Sequence, residues 1–289
     1  MTSPKSEVRS PKSIQSVHST TSDIGLQTSG STQDYLALAI RLAKEAGRYA
    51  LTEQKKVLHI ERKSNEFDLV TNVDKHNEEF IQSEVSKIYP DHEYLGEEGA
   101  KTKTSSGIRW VVDPIDGTLN YAHGLPIWCV SIGVEVNGVV EYGAIYDATR
   151  DELFTAIRSS GAFLNEKKIH VSKTSDPGLS LFVTGFSYNI AQNEDKAIER
   201  FTAFLKRGLV VRRLGSAALD LCYTACGRFD GFFEAGLSPW DTAAGSLILR
   251  EAGGRATHYD GSEYSIYKKG IIASNGLVHG LISEIINSV

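Results

Sequence analysis

The chain has 289 residues, enough for one large domain or two small ones with a full hydrophobic core. Its hydrophobic content of 41% and charged content of 23% are typical of an ordinary soluble enzyme. Its net charge of −5 argues against broad binding to nucleic acid or to anionic membranes, so we expect neither as a partner.

The cysteines and the apolar runs indicate the compartment. Cys129, Cys222 and Cys226 are too few for a disulfide framework, and we expect them to be buried free thiols in a reducing environment. No apolar run approaches the roughly 18 residues that a membrane span needs. These features predict a cytoplasmic protein.

The first 32 residues differ in composition from the rest of the chain. They are rich in Ser and Thr and poor in large apolar residues, so burial cannot offset the entropy of ordering them. We predict a disordered tail over residues 1–32 and one domain over residues 33–289. A shortage of acids is also typical of a transit peptide, but the tail has no clear amphipathic face. A plain tail is favoured, with organelle targeting as the alternative.

Helices and short strands are predicted next along the chain. Apolar and small residues recur at three-to-four spacing over residues 36–50, which predicts a helix that Thr32 is placed to cap. We expect a short strand at 57–60 and a second helix that Pro90 ends. A strand at 93–95 then leads to two adjacent acids.

The richest motif of the chain follows a buried strand. The β-branched run 108–112 predicts a strand that ends at Asp113, because Pro114 has no N–H for a sheet ladder. Asp116 stands three residues after Asp113, and the Gly-Thr pair that follows is predicted to open a short helix. Two carboxylates beside the free N–H groups of a helix start suit a hard cation and a phosphate. Taken alone, the segment is equally consistent with an ordinary turn.

The remainder of the chain alternates strands and helices. Asn137-Gly138 between two β-rich runs is a strong hairpin signal for strands at 128–136 and 139–146. Further strands are predicted at 153–157, 209–213, 229–234 and 271–274, with turns and strands over 161–171, and helices at 195–206, 217–226, 241–252 and 278–287. This order predicts an α/β fold in which mixed sheets are layered with helices.

Four separated motifs resemble, in type and order, those of the inositol monophosphatase family of Mg²⁺-dependent, lithium-sensitive phosphatases. They are the segment 68–74, the Gly-Glu-Glu-Gly of 96–99, the Asp-Pro-Ile-Asp-Gly-Thr of 113–118, and Trp240-Asp241 followed by a Gly pair at 253–254. The resemblance runs from about Tyr35 to the C-terminus and is most similar to the bacterial inositol-1-monophosphatase branch. It implies the sugar-phosphatase αβαβα sandwich and a homodimer.

The resemblance also assigns a metal site. It implies two or three Mg²⁺ ions, the weakest near Glu97, held by Glu97, Asp113, the backbone carbonyl of Ile115, Asp116 and Asp241. Any one of these acids is better explained as a solvated turn carboxylate, but their joint pattern favours a cation site. Acids that share one small volume repel one another without cations, and oxygen ligands select Mg²⁺ or Mn²⁺ over zinc.

The remaining roles follow from the same resemblance. Asp74 and Thr118, with Glu97, match the positions that orient and deprotonate the attacking water, and the amides of Gly117 and Thr118 match phosphate donors. Glu98 and Lys63 match residues that support the ligands, although Lys63 is equally consistent with a surface lysine.

The resemblance also implies residues that bind the substrate: Glu234 matches the family's hydroxyl-binding acid, and Ala217 and Asp220 are further candidates. A carboxylate at Glu234 suits a polyol such as inositol, because it accepts two neighbouring hydroxyls. The alternative is that Glu234 only ends a strand. The loop 185–189, Gly-Phe-Ser-Tyr-Asn, departs from the Gly-Phe-Pro-Phe that is common in the bacterial branch, so specificity stays open there.

The function implied is Mg²⁺-dependent hydrolysis of a small phosphate monoester, inositol 1-phosphate first, by in-line attack of a metal-activated water. The alternatives are fructose 1,6-bisphosphate, histidinol phosphate, a nucleotide 3′-phosphate or NADP as substrate. A binding role in a transcription complex, as in some bacterial relatives, has little support from the acidic charge balance.

Overall fold

The computed structural model describes residues 32–56, 59–62 and 69–289. The predicted tail (apart from Thr32), the first part of the strand predicted at 57–60, and Lys63 lie outside the described residues. The first helix begins at Thr32, so Thr32 is the first residue of this helix and not the N-cap residue that precedes it. Among the residues described, no helix combines the length and the apolar content that crossing a membrane requires.

The elements follow the predicted order closely. The helices are α1 (Thr32–Glu53), α2 (Asn72–Ile88), α3 (Thr118–Ala122), α4 (Ala197–Lys206), α5 (Ala217–Ala225), α6 (Pro239–Glu251) and α7 (His279–Ile286), with a 3-10 turn at Pro177–Leu179. The strands are β1 (Ile60–Arg62), β2 (Leu69–Thr71), β3 (Glu93–Gly96), β4 (Lys101–Thr102), β5 (Ile108–Asp116), β6 (Cys129–Val136), β7 (Val139–Asp147), β8 (Glu152–Ile157), β9 (Gly161–Leu164), β10 (Lys167–Lys168), β11 (Leu181–Thr184), β12 (Val210–Arg212), β13 (Gly231–Glu234), β14 (Arg255–Thr257) and β15 (Ile271–Ser274).

The larger sheet has eight strands in the order β10-β9-β8-β7-β6-β5-β3-β4. All its neighbours are antiparallel except β3 and β5, which run parallel and therefore deliver their C-terminal ends to the same edge. The predicted hairpin joins β6 to β7, with Asn137 at φ 52° and Gly138 at φ 80°, as its two-residue turn requires. Helices α1 and α2 cover one face of this sheet, and α6 covers the other.

A second sheet has five strands in the order β12-β11-β13-β15-β14, and β1 and β2 form a separate pair. Helix α5 packs between α6 and this sheet, while α4 and α7 cover its far face. The layers are thus helix, sheet, helix, sheet, helix. The predicted α/β class and the αβαβα sandwich are confirmed.

Two glycines bring α6 unusually close to the larger sheet. A Cβ on Gly133 of β6 would lie 2.8 Å from the Cβ of Ala243, and one on Gly143 of β7 would lie 3.1 Å from the carbonyl oxygen of Ala244. Contacts this short leave no room for a side chain. The start of α6 is therefore held against the sheet, close to the end of β5.

The end of the strand that carries the two aspartates was predicted wrongly. Strand β5 does not end at Asp113 but continues through Pro114 to Asp116. Asp113 pairs with Ser131 and Asp116 with Cys129, so three steps on β5 match two on β6. This bulge accommodates a proline without a ladder N–H and turns both aspartates toward one site. The strands β2, β4, β11 and β14 were not predicted.

Candidate active site

The bulge at the end of β5 places two buried aspartates in one short segment. Asp113 and Asp116 are both buried, and the amide of Ile115 donates to Asp113 Oδ1 at 3.0 Å. The predicted short helix is present as α3, and Gly117 before it has φ 97°, in the left-handed region that favours glycine. A Cβ on Gly117 would also lie 2.9 Å from the carbonyl oxygen of Ile127. The sharp turn after the two acids thus depends on glycine.

Asp116 is oriented by the start of α5. Its Oδ2 accepts hydrogen bonds from the Ser216 hydroxyl at 2.5 Å and from the Ala218 amide at 2.8 Å. Ser216 and Ala218 lie at the N-terminus of the helix, where backbone N–H groups lack intrahelical partners and favour an anion. These donors hold Asp116 in one rotamer and lower the cost of its charge.

Asp241 enters the site from the start of α6. Its Oδ2 accepts from the Ser238 amide at 2.6 Å and forms a capping box with Ser238, next to Pro239 at the first helical position. The predicted helix therefore begins at Pro239, two residues earlier than expected, and Asp241 lies within its first turn.

The three aspartates converge on one point. Asp113, Asp116 and Asp241 each offer a carboxylate oxygen, and these oxygens lie within 4.8 Å of one another. Burial, followed by repulsion from Glu97 and the other two aspartates, raises the pKa of Asp113 well above its ordinary value. Burial and the same crowding raise the pKa of Asp241. Burial also raises the pKa of Asp116 to about 6, against the hydrogen bonds from Ser216 and Ala218.

This arrangement fits a hard divalent cation. Its donors are all oxygens, which are the ligands that Mg²⁺ and Ca²⁺ prefer, and neither His nor Cys belongs to the cluster. A cation would offset the mutual repulsion that raises these pKa values. Glu97 lines the adjoining cavity and raises the pKa of all three aspartates, so it lies within electrostatic reach of the cluster.

A second buried pair lies beside the cluster. Asp74 forms a capping box with Thr71 at the start of α2, and its Oδ1 accepts from the Thr118 hydroxyl at 2.9 Å. That hydroxyl also lies 3.0 Å from the carbonyl oxygen of Ile115, and its one proton serves only one acceptor at a time. Burial raises the pKa of Asp74 to about 6. A carboxyl that titrates near neutrality is suited to taking up a proton.

A cavity of about 430 Å³ opens next to these acids. Predicted residues in its lining are Glu97, Asp116, Gly117, Ala217, Glu234 and Asp241. The loop Phe186–Asn189 and Arg213 line it as well. Asp220 does not: it is buried one turn further along α5, and its Oδ1 has no hydrogen-bond partner among the described residues.

Glu234 is held in the cavity wall by close packing. A Cβ on Gly185 would lie 2.2 Å from Glu234 Oε2, so only glycine leaves room for this carboxyl. Burial raises the pKa of Glu234 to about 8, although Arg213 acts in the opposite direction.

The raised pKa makes a prediction about stability and pH. The folded protein holds the Glu234 proton up to about pH 8, whereas the unfolded chain releases it near the ordinary value of 4.5. Stability should therefore fall as pH rises between these values, with a limit of about 1.4 kcal/mol per pH unit from this group. We expect Glu234→Gln to flatten the slope of unfolding free energy against pH from 5 to 8, measured in urea without metal. An unchanged slope would contradict a raised pKa.

Several residues that shape the site were not predicted. Ser216 and Arg213 lie shortly before the predicted substrate residue Ala217, and nothing in their spacing ties them to the acids of the site. Asn120 donates to the carbonyls of Ile127, at 2.8 Å, and of Leu214, at 2.9 Å, and so links α3 to the segment before α5. Glu78 is the buried acid of α2 that contacts the 97–100 turn. A signal existed only for Thr71, whose spacing to Asp74 is that of a capping box.

The fold and the site together define a layered α/β enzyme with a carboxylate cluster that is suited to divalent cations. A model of the inositol monophosphatase family matches residues 31–289, so the chain belongs to that family of phosphoric monoester hydrolases.

Individual relatives agree with this assignment. An inositol-1-monophosphatase of Synechocystis sp. is 40% identical over 253 residues, covering 87% of this chain and 88% of the relative. A Nus factor SuhB of Pasteurella multocida is 40% identical over 257 residues, covering 88% and 95%. The crystal structure of the extragenic suppressor protein suhB from Bartonella henselae has a TM-score of 0.82 at 35% identity, covering 87% and 98%.

Proposed function

We propose that the protein hydrolyses inositol 1-phosphate, or a closely similar polyol phosphate, in a Mg²⁺-dependent reaction. The observation that carries the proposal is the convergence of Asp113, Asp116 and Asp241 at one end of a cavity whose wall includes Glu234. The acid cluster supports the metal and the phosphate, and the buried carboxyl supports recognition of hydroxyl groups. The similarity to an inositol-1-monophosphatase supports the same substrate.

The acids divide between holding cations and moving a proton. The groups assigned to Mg²⁺ are Glu97, Asp113, the carbonyl of Ile115, Asp116 and Asp241. When bound, Mg²⁺ stabilises the negative charge that develops during displacement at phosphorus and makes water a better nucleophile. Glu98 is assigned a supporting role, since its amide lies in the turn that carries Glu97.

Asp74 and Thr118 are assigned to the attacking water. The Thr118 hydroxyl is oriented by Asp74, and the Asp74 carboxylate takes up the proton that the water loses. The amides of Gly117 and Thr118 are assigned to the phosphate oxygens, because they are the free N–H groups that start α3 beside the cavity.

The substrate alcohol is assigned to Glu234 and Ala217, with Asp220 behind them on α5. Bound cations would lower the pKa of Glu234 from its metal-free value of about 8 and so favour its carboxylate. Glu234→Gln should then change the choice of substrate more than the chemistry, since the amide accepts fewer hydroxyl hydrogen bonds than a carboxylate does. We expect kcat/KM for inositol 1-phosphate to fall about tenfold or more relative to kcat/KM for glycerol 2-phosphate. An equal response of both esters would show that Glu234 does not select substrate.

Lithium should inhibit the enzyme. Li⁺ is small and hard, so the all-oxygen cluster accepts it, but its single charge stabilises the reacting phosphate less than Mg²⁺ does. The set Asp113, Asp116 and Asp241 is the expected place. We expect uncompetitive or mixed inhibition with respect to substrate, and much weaker inhibition by equal concentrations of Na⁺. Full activity at tens of millimolar Li⁺ would contradict the prediction.

The test of the proposed function is phosphate release from a panel of esters with Mg²⁺ or with EDTA. The panel contains inositol 1-phosphate, fructose 1,6-bisphosphate, histidinol phosphate, a nucleotide 3′-phosphate and NADP. Preference for inositol 1-phosphate in Mg²⁺ supports the proposal. Preference for another ester in the panel would mean that this ester is the substrate instead. We also propose that the enzyme is cytoplasmic. We propose further that it is a homodimer, and sedimentation analysis tests this oligomeric state.

A second role is suggested by the similarity to a Nus factor SuhB. That role would be binding within a transcription complex and would not need the acid cluster. Capture of RNA polymerase by the wild type and by a metal-site variant distinguishes the two roles, because only the binding role survives loss of the cluster.

A further inference from the structure

Glu78 is a buried carboxylate on α2 that points at the turn carrying Glu97. Its side chain is only 3% exposed. Glu78 Oε2 accepts from the amide of Glu98 at 2.8 Å, and Oε1 accepts from the amide of Ala100 at 2.9 Å. One carboxylate thus holds two backbone N–H groups of the same turn, directly after Glu97.

The turn is also closed around this carboxylate. The amide of Gly96 donates to the carbonyl of Ala100 at 2.9 Å, so residues 96–100 form a small ring at the end of β3. A Cβ on Gly96 would lie 2.2 Å from Glu78 Oε2 and 2.9 Å from the ring of Tyr94. Gly96 is therefore enclosed between Glu78 and Tyr94, and its φ does not lie in the left-handed region. Space, rather than backbone strain, requires glycine here.

Burying a carboxylate costs free energy unless its oxygens are hydrogen-bonded. Two charge-assisted bonds to adjacent amides offset that cost and fix the path of the turn. The side chain of Glu97 leaves this turn toward Asp113, Asp116 and Asp241. A ligand carried on a short turn between two strands has no helix or sheet to fix its backbone, so its position depends on such bonds.

We propose that Glu78 is a positioning residue for metal binding, which sets the Glu97 carboxylate relative to the aspartate cluster. The inference rests on the proposed function, since it takes Glu97 as a Mg²⁺ ligand. Glu78 touches neither the substrate nor the reacting atoms. It acts through the backbone of Glu98 and Ala100.

The first test is Glu78→Gln, which keeps the shape but replaces one acceptor oxygen with an NH₂ group that faces an N–H. The Mg²⁺ concentration at half-maximal rise in melting temperature should increase about 10- to 100-fold, as is typical when a group that orients a metal ligand is changed. The Mg²⁺ concentration for half-maximal phosphate release should increase equally. The KM for substrate at saturating Mg²⁺ should stay unchanged.

Glu79→Gln is the matched control, because Glu79 is exposed on the same helix. The melting temperature of this variant should respond to Mg²⁺ at the same concentrations as that of the wild type. If Glu78→Gln fails to fold, Glu78→Asp and Gly96→Ala test the same contact. Asp keeps both oxygens but is one methylene short, and the added methyl of Ala presses on the carboxylate. Both variants should raise the Mg²⁺ midpoint, which is the Mg²⁺ concentration at half-maximal rise in melting temperature.

The outcomes separate the two proposals. A variant that melts at a lower temperature with an unchanged Mg²⁺ midpoint would show that Glu78 is merely structural and would overturn the inference. A wild type whose melting temperature and activity ignore Mg²⁺ would overturn the proposed function instead.

Discussion

Asp113→Asn should lose nearly all turnover while making the metal-free protein more stable. Asp113 belongs to the cluster, and its pKa is raised by burial and then by repulsion from Glu97, Asp116 and Asp241. The amide is a weaker cation ligand, and the stabilisation that a bound cation gives to the reaction amounts to several kcal/mol. We expect kcat to fall at least about a thousandfold at saturating Mg²⁺.

Although Asp113→Asn should lower turnover, it should raise the stability of the metal-free protein. With no cation present, folding either desolvates the Asp113 charge beside other acids or keeps its proton above the ordinary pKa. Because the folded pKa is raised, this penalty begins above the unfolded pKa and grows with pH up to the folded pKa. An asparagine does not ionise, so the melting temperature in EDTA should be higher than in the wild type, and more so at pH 8 than at pH 5.

Asp91→Asn is the matched control, because Asp91 is an exposed aspartate outside the site. It should change neither kcat nor the melting temperature in EDTA. Wild-type turnover in Asp113→Asn would remove the acid cluster from the mechanism. Lower stability in EDTA would show that Asp113 is a net stabilising group without metal.

The sequence motifs identified the acids of the site, but they did not identify the hydrogen-bond donors and the bulge that orient those acids. Asp113 and Asp116 were visible because Asp, Pro and Gly recur there in a pattern with a chemical meaning. The bulge that aims both acids was not, because Pro114 was read as the end of a strand. A proline can remain in a strand where a bulge removes the need for its N–H.

Contacts between residues that are far apart in the sequence could not be predicted from local sequence patterns. Ser216 meets Asp116 across one hundred positions of the chain. This contact exists because α5 and α6 stack between the two sheets, which depends on the close approach at Gly133 and Gly143. Periodicity indicates which face of a helix is buried, but it does not say which distant residue lies opposite.

Asp220 illustrates the same limit within one helix. The family resemblance made both Ala217 and Asp220 candidates for contact with the substrate, and at three residues apart they lie on the same helical face. Ala217 lines the cavity, whereas Asp220 lies one turn deeper in the core, where burial raises its pKa well above the ordinary value. Its role toward substrate stays a prediction.

Asp74→Asn should lower kcat by about 10²- to 10⁴-fold, which is the usual contribution of a positioned general base. The amide cannot take up a proton, whereas the metal ligands stay intact, so the Mg²⁺ midpoint of the melting temperature should hold. Thr118→Val should lose activity as well, and the double variant should be little worse than Asp74→Asn, because the two side chains act as one unit.

Asp74 also caps α2, so the control must separate capping from chemistry. Thr71→Ala removes the hydroxyl that accepts from the amides of Val73 and Asp74 and that donates to Asp74 Oδ2, whereas the bond from the Thr118 hydroxyl to Asp74 Oδ1 stays. It should cost about 1 kcal/mol of stability with most of kcat kept. If Thr71→Ala lowers kcat as much as Asp74→Asn does, the loss follows the helix cap and the orientation of the carboxylate rather than its uptake of a proton. If Asp74→Asn alone abolishes turnover with Mg²⁺ binding unchanged, proton uptake by Asp74 accounts for the loss.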